Sequence, residues 1–391
     1  MSTILDLLNK IPAEKEKRQK IQIGLKEQFA AYGEELIIYG HGNLGTELRK
    51  GLENAGWRVR YFIDANQPTD LRRENINLTD AKQYIASDAI IIVAIYNIFA
   101  EYPVIHDKLR SMGFQNVFSI LDLRVWPELF QAGHIHSTLS WDIEHIPAEQ
   151  ICKAYSLMDD AISKKVYREL VGFFISDDKP QFTLCPGESQ YMPDTVYLPS
   201  ESERIIDCGA YNGDTMRAFF SRIQNWCSYT AIEPDRHNFE DLCASIQKDL
   251  PPLLAERTKS IHAAVSDEMG EAVFCENGTT ASHIMEQSAE GQYTVPIIRM
   301  DDVINDPVTF IKMDVEGFEL RALQGAEGLI RRDQPLLAIC GYHKQSDLWE
   351  IPLYMKNILP DHHILLRNYV GIIEYVFYAV PKNRVLPDKQ P

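Results

Sequence analysis

The stretch RIIDCGAYNGDT, residues 204–215, joins a short apolar run to a turn that contains two glycines. This pattern is typical of a parallel strand that leads into a helix. The turn lacks the Lys-Ser/Thr pair of a phosphate-binding loop and the third glycine that seats a pyrophosphate. Asp207, two residues before Gly209, would repel a phosphate but suits an ammonium or a hydroxyl group. The stretch therefore predicts an α/β domain whose first turn binds a ligand without gripping phosphates.

Outward from this turn, apolar runs alternate with helical segments to the end of the chain. The predicted strands are RIIDCG, SYTAIEP, KSIHAAVS, TFIKMDVEG and PLLAICGY, with helices after the first, second and fourth. Such alternation builds a parallel sheet. The tail, HHILLRNY followed by IIEYVFYAVP, predicts an antiparallel pair that closes the sheet. We predict a doubly wound domain over residues 199–391.

Polar residues end the second and third of these strands, on the side where parallel sheets bind ligands. Glu233 is placed to accept both hydroxyls of a ribose, and Ser266 with Asp267 is placed to face an adenine edge. An acidic turn, a ribose carboxylate and an adenine-facing pair describe S-adenosylmethionine (SAM). The predicted cofactor site comprises Asp207, Gly209, Ala210, Tyr211, Gly213, Thr215, Glu233, Pro234, Ser266, Asp267 and Asp314.

The stretch FIKMDVEGFE carries charges where a central strand should be apolar. By the two-residue period of a strand, Lys312, Asp314 and Glu316 share one face. Buried charges are costly unless they pair or bind a ligand, so a purely structural ion-pair cluster is the alternative to a catalytic group. Methyl transfer to a hydroxyl needs a nearby base, and His343 after the next strand is the first candidate because its ordinary pKa is near neutrality. Asp314 or Glu316 is the alternative base.

No resident metal is expected. Asp301, Asp302, Asp314 and Glu316 could form a metal site, but they have no diagnostic spacing. The seven cysteines contain no C-x-x-C pair, which argues against zinc and against a disulfide framework and predicts reduced thiols in the cytoplasm.

The first half of the chain contains a second glycine-rich turn, LIIYGHGNLG. Gly40, Gly42 and Gly45, with Asp64 ending the next strand, match the dinucleotide fingerprint in outline. Because the domain is short, we favour a nucleotide fold that has lost or changed its ligand, and NAD binding is the alternative. The predicted organisation is a helical arm at 1–32, a small Rossmann-like domain at 33–125, a helical connection at 126–198 and the SAM domain at 199–391.

Residues 199 to about 381 resemble the FkbM-type methyltransferases. The stretches that carry the resemblance are, in order, IIDCGAYNGDT, AIEPDRHNFEDL, AVSDEMGEAVF, MDDVI, IKMDVEGFELRALQGAEGLI and LLRNYVGIIEYVFYAVP. The resemblance implies a class I SAM-methyltransferase fold with a closing hairpin, O-methylation of a sugar or polyketide-like hydroxyl, and Tyr191 over the cofactor.

Two positions depart from this family. Gly341-Tyr342-His343 stands where the family commonly has Glu-x-His, and Asn368 stands where its LRHY sequence has a histidine. Because the family carboxylate is absent at Gly341, we expect that the pKa of His343 is not raised, which favours a neutral base.

Charge and hydropathy limit the possible partners. The formal net charge of −17 opposes binding to nucleic acid and to anionic lipid surfaces. No apolar run approaches the roughly 20 residues of a membrane span, and the charged N-terminus predicts no signal peptide. We predict a cytoplasmic SAM-dependent O-methyltransferase of small molecules, with no prediction of its oligomeric state. The alternatives are an NAD-dependent oxidoreductase and a SAM-binding protein without turnover.

Overall fold

The computed structural model of the chain describes residues 4–32, 35–95, 98–130, 143, 145–176, 182–185, 189–275 and 292–385. The chain divides into two compact units. The N-terminal unit comprises Met1–Pro147 and Glu169–Gln181, and the C-terminal unit comprises Ala148–Arg168 and Phe182–Pro391. Residues 148–168, assigned to a helical connection by the sequence analysis, thus belong to the C-terminal unit. Within the described ranges, no helix is both long and apolar enough to cross a membrane.

The N-terminal unit is built on a five-stranded parallel sheet with the order β3-β2-β1-β4-β5. Its strands are β1 Glu35–Tyr39, β2 Arg58–Asp64, β3 Asn75–Asn77, β4 Ile90–Val93 and β5 Asn116–Ser119. Its helices are α1 Ile4–Leu8, α2 Ile11–Tyr32, α3 Asn43–Asn54, α4 Ala81–Tyr84 and α5 Ile98–Ser111. Because the order reverses at β1, the sheet is doubly wound, and the Rossmann-like prediction for this half is confirmed.

Packing accounts for part of the glycine pattern in this unit. A side chain at Gly45 would place its Cβ 2.0 Å from the carbonyl oxygen of Gly40, so α3 can approach β1 only through a glycine. By contrast, a Cβ built at Gly42 would meet no heavy atom of the described residues within 4 Å. Asp64 accepts hydrogen bonds from the backbone of Asn66 at 2.7 Å and of Gln67 at 3.1 Å, which shape the turn after β2. Gly45 is therefore required by the fold whatever this unit binds.

The C-terminal unit is built on a seven-stranded sheet with the order β14-β15-β13-β12-β6-β7-β8. The unit's strands are β6 Arg204–Cys208, β7 Ser228–Ile232, β8 Thr258–Ile261, β9 Ala264–Val265, β10 Gly270–Cys275, β11 Gln292–Ile298, β12 Phe310–Met313, β13 Leu336–Cys340, β14 His363–Val370 and β15 Ile373–Val380. Strands β13, β12, β6, β7 and β8 run parallel, and the antiparallel pair β14–β15 closes one edge. The predicted fold class, including the closing hairpin, is confirmed.

The remaining helices pack around these strands. They are α6 Ala148–Ser156, α7 Ala161–Ile175, α8 Asp214–Ile223, α9 Arg236–Asp249, α10 Pro252–Glu256, α11 Met300–Val303, α12 Glu319–Gln324, α13 Glu327–Asp333 and α14 Asp347–Ile358. The helix α7 has residues in both units.

The structure differs from the sequence-based prediction at two places. The predicted strand KSIHAAVS is split, because β8 lies in the large sheet whereas β9 joins β10 and β11 in a separate three-stranded sheet. Helix α14 follows the fifth parallel strand although no helix is predicted there. Its Pro352 disfavours a helix interior, but Leu348, Ile351 and Met355 form a fully buried stripe at helical spacing.

The strand order of the seven-stranded sheet indicates where its ligand crevice lies. From β6 the chain moves outward to β7 and β8, and it then returns to β12 on the other side of β6. In open α/β sheets, ligands bind at the carboxyl ends of strands where the order reverses in this way. The segments after β6, β7, β12 and β13 therefore meet at one crevice.

Candidate functional site

The glycine turn after β6 is packed against the segment that follows β12. Gly209 has φ +75°, and a Cβ there would lie 1.8 Å from the carbonyl oxygen of Asp314. Only glycine fits this close approach and this backbone conformation. At the other end of the turn, Gly213 has φ +84° and caps α8. The predicted cofactor turn and the predicted catalytic strand end are thus in direct contact.

A buried ion pair lies beneath the turn. Lys312 Nζ is 3.0 Å from Asp207 Oδ1 on the adjacent strand, and the two side chains are 3% and 0% exposed. Lys312 also donates to the carbonyl oxygen of Gly209 at 2.6 Å, while the Tyr229 hydroxyl donates to Asp207 at 2.7 Å. Burial alone would lower the pKa of Lys312, but the carboxylates of Asp207 and Asp314 hold it above its usual value. Asp207 and Lys312 therefore hold the turn from within the sheet.

Glu233 stands at the end of β7, beside the glycine turn. Its carboxylate is 6% exposed and accepts backbone hydrogen bonds from Tyr211 at 2.8 Å and from Asp235 at 2.9 Å. Tyr211 has φ +47°, a strained conformation for a residue with a side chain. Burial raises the pKa of Glu233 to about 7, although both backbone donors act in the opposite direction. Each carboxylate oxygen keeps a second acceptor position that a ribose hydroxyl can use.

The predicted adenine-facing pair follows β9. The Ser266 hydroxyl donates to Asp267 at 2.9 Å, and Arg321 on α12 approaches the same Asp267 oxygen at 2.6 Å. The carbonyl oxygen of Ser266 would be 1.9 Å from a Cβ at Gly325, so this segment packs closely against the end of α12. The carbonyl oxygen of Pro234 is 3.0 Å from His262 Nε2. These contacts fix the loops that flank the predicted cofactor position.

Four polar residues meet on the other side of the glycine turn. His343, after β13, places Nδ1 at 2.8 Å from Glu319, and its Nε2 at 3.5 Å from Asp314 and 3.7 Å from Glu316. Asp314 and Glu316 follow β12, and Glu319 begins α12. The structure thus brings together His343, Asp314 and Glu316 as predicted, adds Glu319, and pairs Lys312 with Asp207.

Comparison with known proteins shows a family likeness for the region that contains this arrangement. Residues 207–368 match the family model described as the methyltransferase FkbM domain. The likeness belongs to this region, which is less than half of the chain. No curated protein sequence matches the chain.

Two solved structures illustrate the likeness. Methyltransferase FkbM from Methylobacillus flagellatus KT is 19% identical, with a TM-score of 0.73 over 96% of this chain and 100% of that chain. An rRNA methylase from Streptococcus thermophilus is 13% identical, with a TM-score of 0.31 over 48% of this chain and 91% of that chain. The first likeness establishes that both halves of the chain share the fold of the Methylobacillus protein.

In the region that matches this family model, the expectation that the pKa of His343 is not raised is wrong. Burial alone would lower this pKa, but the carboxylate of Glu319, with those of Asp314 and Glu316, raises it to about 10. The carboxylate that is missing at position 341 is supplied by Glu319 from α12. A side chain at Gly341 would place its Cβ 2.6 Å from the Phe377 ring, which leaves no room for a glutamate there. The carboxylates around the ring therefore favour the protonated imidazole, contrary to the expectation of an unraised pKa.

Two tyrosines orient Asp314. The Tyr191 hydroxyl donates to its Oδ2 at 2.9 Å and the Tyr342 hydroxyl to its Oδ1 at 3.2 Å. Burial would raise the pKa of Asp314, but Lys312 and His343 keep it below its usual value. The family resemblance implies that Tyr191 lies over the cofactor. In the structure, its hydroxyl contacts Asp314, one of the four residues of the cluster.

Glu316 is the most open member of the cluster. Its side chain is 40% exposed, and its φ of +52° is a strained conformation that aims the residue out of the strand direction. Burial of the carboxylate raises its pKa to about 7, with partial opposition from His343. Glu316 is thus the carboxylate that a second substrate can reach most easily.

The other carboxylates considered for a metal lie apart from this cluster. Asp301 accepts hydrogen bonds from the backbone of Gly328 at 3.0 Å and of Leu329 at 2.7 Å, so it caps α13. Among the residues that the structure describes, the one group of possible metal ligands is Asp314, Glu319 and His343. Glu319 is not among the residues predicted from the sequence. It follows Glu316 by three residues and lies in the first turn of the next helix, and this spacing could have indicated that the two side chains are close.

Proposed function

We propose that the chain is a SAM-dependent methyltransferase that acts on a hydroxyl of a small molecule such as a sugar or a polyketide-like metabolite. One observation carries the proposal. The glycine turn with Glu233 and the cluster around His343 flank the same switch point of the sheet, and they touch through Gly209 and Asp314. A cofactor over β6 and β7 would therefore present its reactive end to an acceptor over β12 and β13.

The cofactor half of the proposal rests on the segments after β6, β7 and β9. Glu233 would accept the ribose hydroxyls, because its two oxygens are held in place by backbone donors. The ion pair of Asp207 and Lys312 would shape the turn and contribute no direct contact, since both side chains are buried. The proposed contacts with SAM come from Gly209, Ala210, Tyr211, Gly213, Thr215, Glu233, Pro234, Ser266 and Asp267.

The acceptor half rests on the cluster after β12 and β13. In the proposed reaction, the acceptor oxygen attacks the methyl carbon in line, the sulfur–carbon bond breaks and S-adenosylhomocysteine leaves. We assign the hydroxyl proton to Glu316, because its side chain is 40% exposed against 25% for that of Asp314, whose carboxylate already accepts from two tyrosines. The imidazole of His343 would orient the carboxylates of Glu316 and Asp314.

Composition supports a small acceptor in a reducing compartment. A net charge of −17 opposes a nucleic-acid substrate, and it leaves a small hydroxylated molecule as the fitting partner. Six cysteines are free thiols, which agrees with the proposed cytoplasmic location; they are Cys152, Cys185, Cys208, Cys227, Cys243 and Cys340.

Calorimetric titration with four ligands tests the proposed cofactor. We expect SAM and S-adenosylhomocysteine to bind, and NAD and NADP to give no saturable heat. An acceptor screen of hydroxylated sugars and polyketides should then release S-adenosylhomocysteine. Saturable NAD binding without SAM binding would favour the NAD-dependent oxidoreductase. SAM binding without turnover on any acceptor would favour a SAM-binding protein that is not an enzyme.

The affinity for SAM should depend on pH through Glu233. Ribose hydroxyls donate to a carboxylate, so SAM should favour the charged form of a group whose pKa is about 7 before binding. Because the charged fraction grows as the pH rises through this value, the affinity should increase about tenfold between pH 6 and pH 8 and level off above it. Titration across this range measures the effect. S-adenosylhomocysteine, which has the same ribose but no sulfonium charge, should show the same profile; a profile confined to SAM would assign the effect to another group.

A further inference from the structure

The cluster beside the glycine turn has the composition of a metal site. One ligand atom each from Asp314, Glu319 and His343 lies within 4.8 Å of the others. Two carboxylate oxygens and one imidazole nitrogen are donors that Mn²⁺, Zn²⁺ and related divalent ions accept. We propose that Asp314, Glu319 and His343 bind a divalent cation of the first transition row.

The hydrogen bonds around the proposed ligands hold them in place. Tyr191 and Tyr342 donate to Asp314, as described above. Glu319 Oε1 accepts from the backbone of Val315 at 2.8 Å and of Gly317 at 3.4 Å. Outer partners of this kind orient metal ligands and fix their geometry before the ion binds. The site is thus built by both strand ends and by the first turn of α12.

One buried oxygen of Glu319 supports a cation at this cluster. The Glu319 side chain is 0% exposed. Its Oε1 accepts three donors, whereas its Oε2 has no hydrogen-bond partner among the described residues. A buried charged oxygen that is left unsatisfied is costly, and an ion or a water is the usual explanation. A cation between Glu319 and Asp314 would satisfy this oxygen.

The charges of the cluster also favour a bound divalent cation. Asp314, Glu316 and Glu319 place three carboxylates around the ring of His343. Lys312, which lies below, makes its closest ion pair with Asp207 at 3.0 Å. A divalent ion would neutralise part of the negative charge of these three carboxylates.

This inference deepens the proposed function and rests on it. An ion in this cluster would lie beside Glu316, where we expect the acceptor hydroxyl. It would hold the acceptor oxygen, draw electron density from it and so lower its pKa before methyl transfer. A hydroxylated acceptor with a second oxygen close to the first, such as a vicinal diol of a sugar, would suit this ion because both oxygens could bind it.

Titration of the chelator-treated full chain with Mn²⁺, followed by electron paramagnetic resonance, tests the site. We expect one Mn²⁺ per chain, and a loss of affinity of about 100-fold in Glu319→Gln, which removes one ligand charge at constant shape. Asp314→Asn should have a similar effect. The matched control is Asp302→Asn, which removes the same charge from an exposed side chain outside the cluster and should bind Mn²⁺ like the parent.

The outcomes separate this proposal from the proposed function. Folding of each variant is checked by circular dichroism and by SAM binding in the presence of chelator. Absence of stoichiometric Mn²⁺, Co²⁺ and Zn²⁺ binding in a chain that binds SAM would overturn the metal site and leave the methyltransferase proposal intact. Mn²⁺ binding that survives both Glu319→Gln and Asp314→Asn would also overturn it. Metal binding without SAM binding would instead contradict the proposed function.

Discussion

Replacement of Glu233 by alanine is expected to weaken SAM binding by about 30- to 1000-fold. Hydrogen bonds to a charged group are the strong ones, and loss of the ribose contacts corresponds to about 2–4 kcal/mol. The substitution also removes the acceptor of the Tyr211 and Asp235 backbone groups. The strained turn at Tyr211 would then lose the contact that fixes it, so the affinity should fall through both causes.

Calorimetric titration of the folded variant measures this effect. Glu240→Ala is the matched control, since it removes an equal charge from the exposed face of α9, the helix that follows Glu233. It should bind SAM like the parent chain. Parent-like affinity in folded Glu233→Ala would remove this residue from the cofactor site.

The positions of the strand ends could be predicted from the sequence because few rules determine them. Apolar runs of strand length alternate with helical segments, and the handedness of the crossovers brings the ends of neighbouring parallel strands to one edge. Glu233 after β7 and His343 after β13 both lie where this reasoning puts them, at the carboxyl ends of their strands. The closing hairpin also follows from its alternating pattern.

The side-chain pairs between neighbouring strands could not be predicted in the same way. The period of two puts Lys312 on one face with Asp314, but the register of β12 against β6 sets Lys312 opposite Asp207. Register depends on packing between strands that are distant in the chain, and a local pattern does not contain it. The ion pair beneath the glycine turn is therefore a result of the tertiary structure.

The pKa of His343 could not be predicted from the sequence for a related reason. The sequence shows that a carboxylate is absent at Gly341, but it does not show that the first turn of α12 folds back toward the end of β13. Glu319 reaches the imidazole from there at 2.8 Å. Every nearby charge affects a pKa, whichever element of the fold carries it. The loss of one family carboxylate therefore does not determine the net effect of the surrounding charges on the pKa of His343.

Glu316→Gln is expected to lower turnover by about 10²- to 10⁴-fold while SAM affinity stays unchanged. This is the range over which a general base contributes to catalysis, and glutamine keeps the shape of the side chain but cannot take the hydroxyl proton. Glu316 follows β12 whereas Glu233 follows β7, so the loss of Glu316 should not reach the proposed ribose contacts. The measurement is release of S-adenosylhomocysteine with a true acceptor, together with calorimetry of SAM binding.

His343→Ala distinguishes the two candidate bases. If the imidazole only orients Asp314 and Glu316, its removal should lower turnover less than Glu316→Gln does, because the accepting carboxylate remains in place. Glu271→Gln, on the exposed face of β10, is the matched control for loss of a carboxylate charge and should turn over like the parent. Parent-like turnover in Glu316→Gln, with a loss of 10²-fold or more in His343→Ala, would assign the proton to the imidazole despite its contact with Glu319. The assignment therefore depends on the ratio of the two variants' turnover, since either loss alone is compatible with both roles.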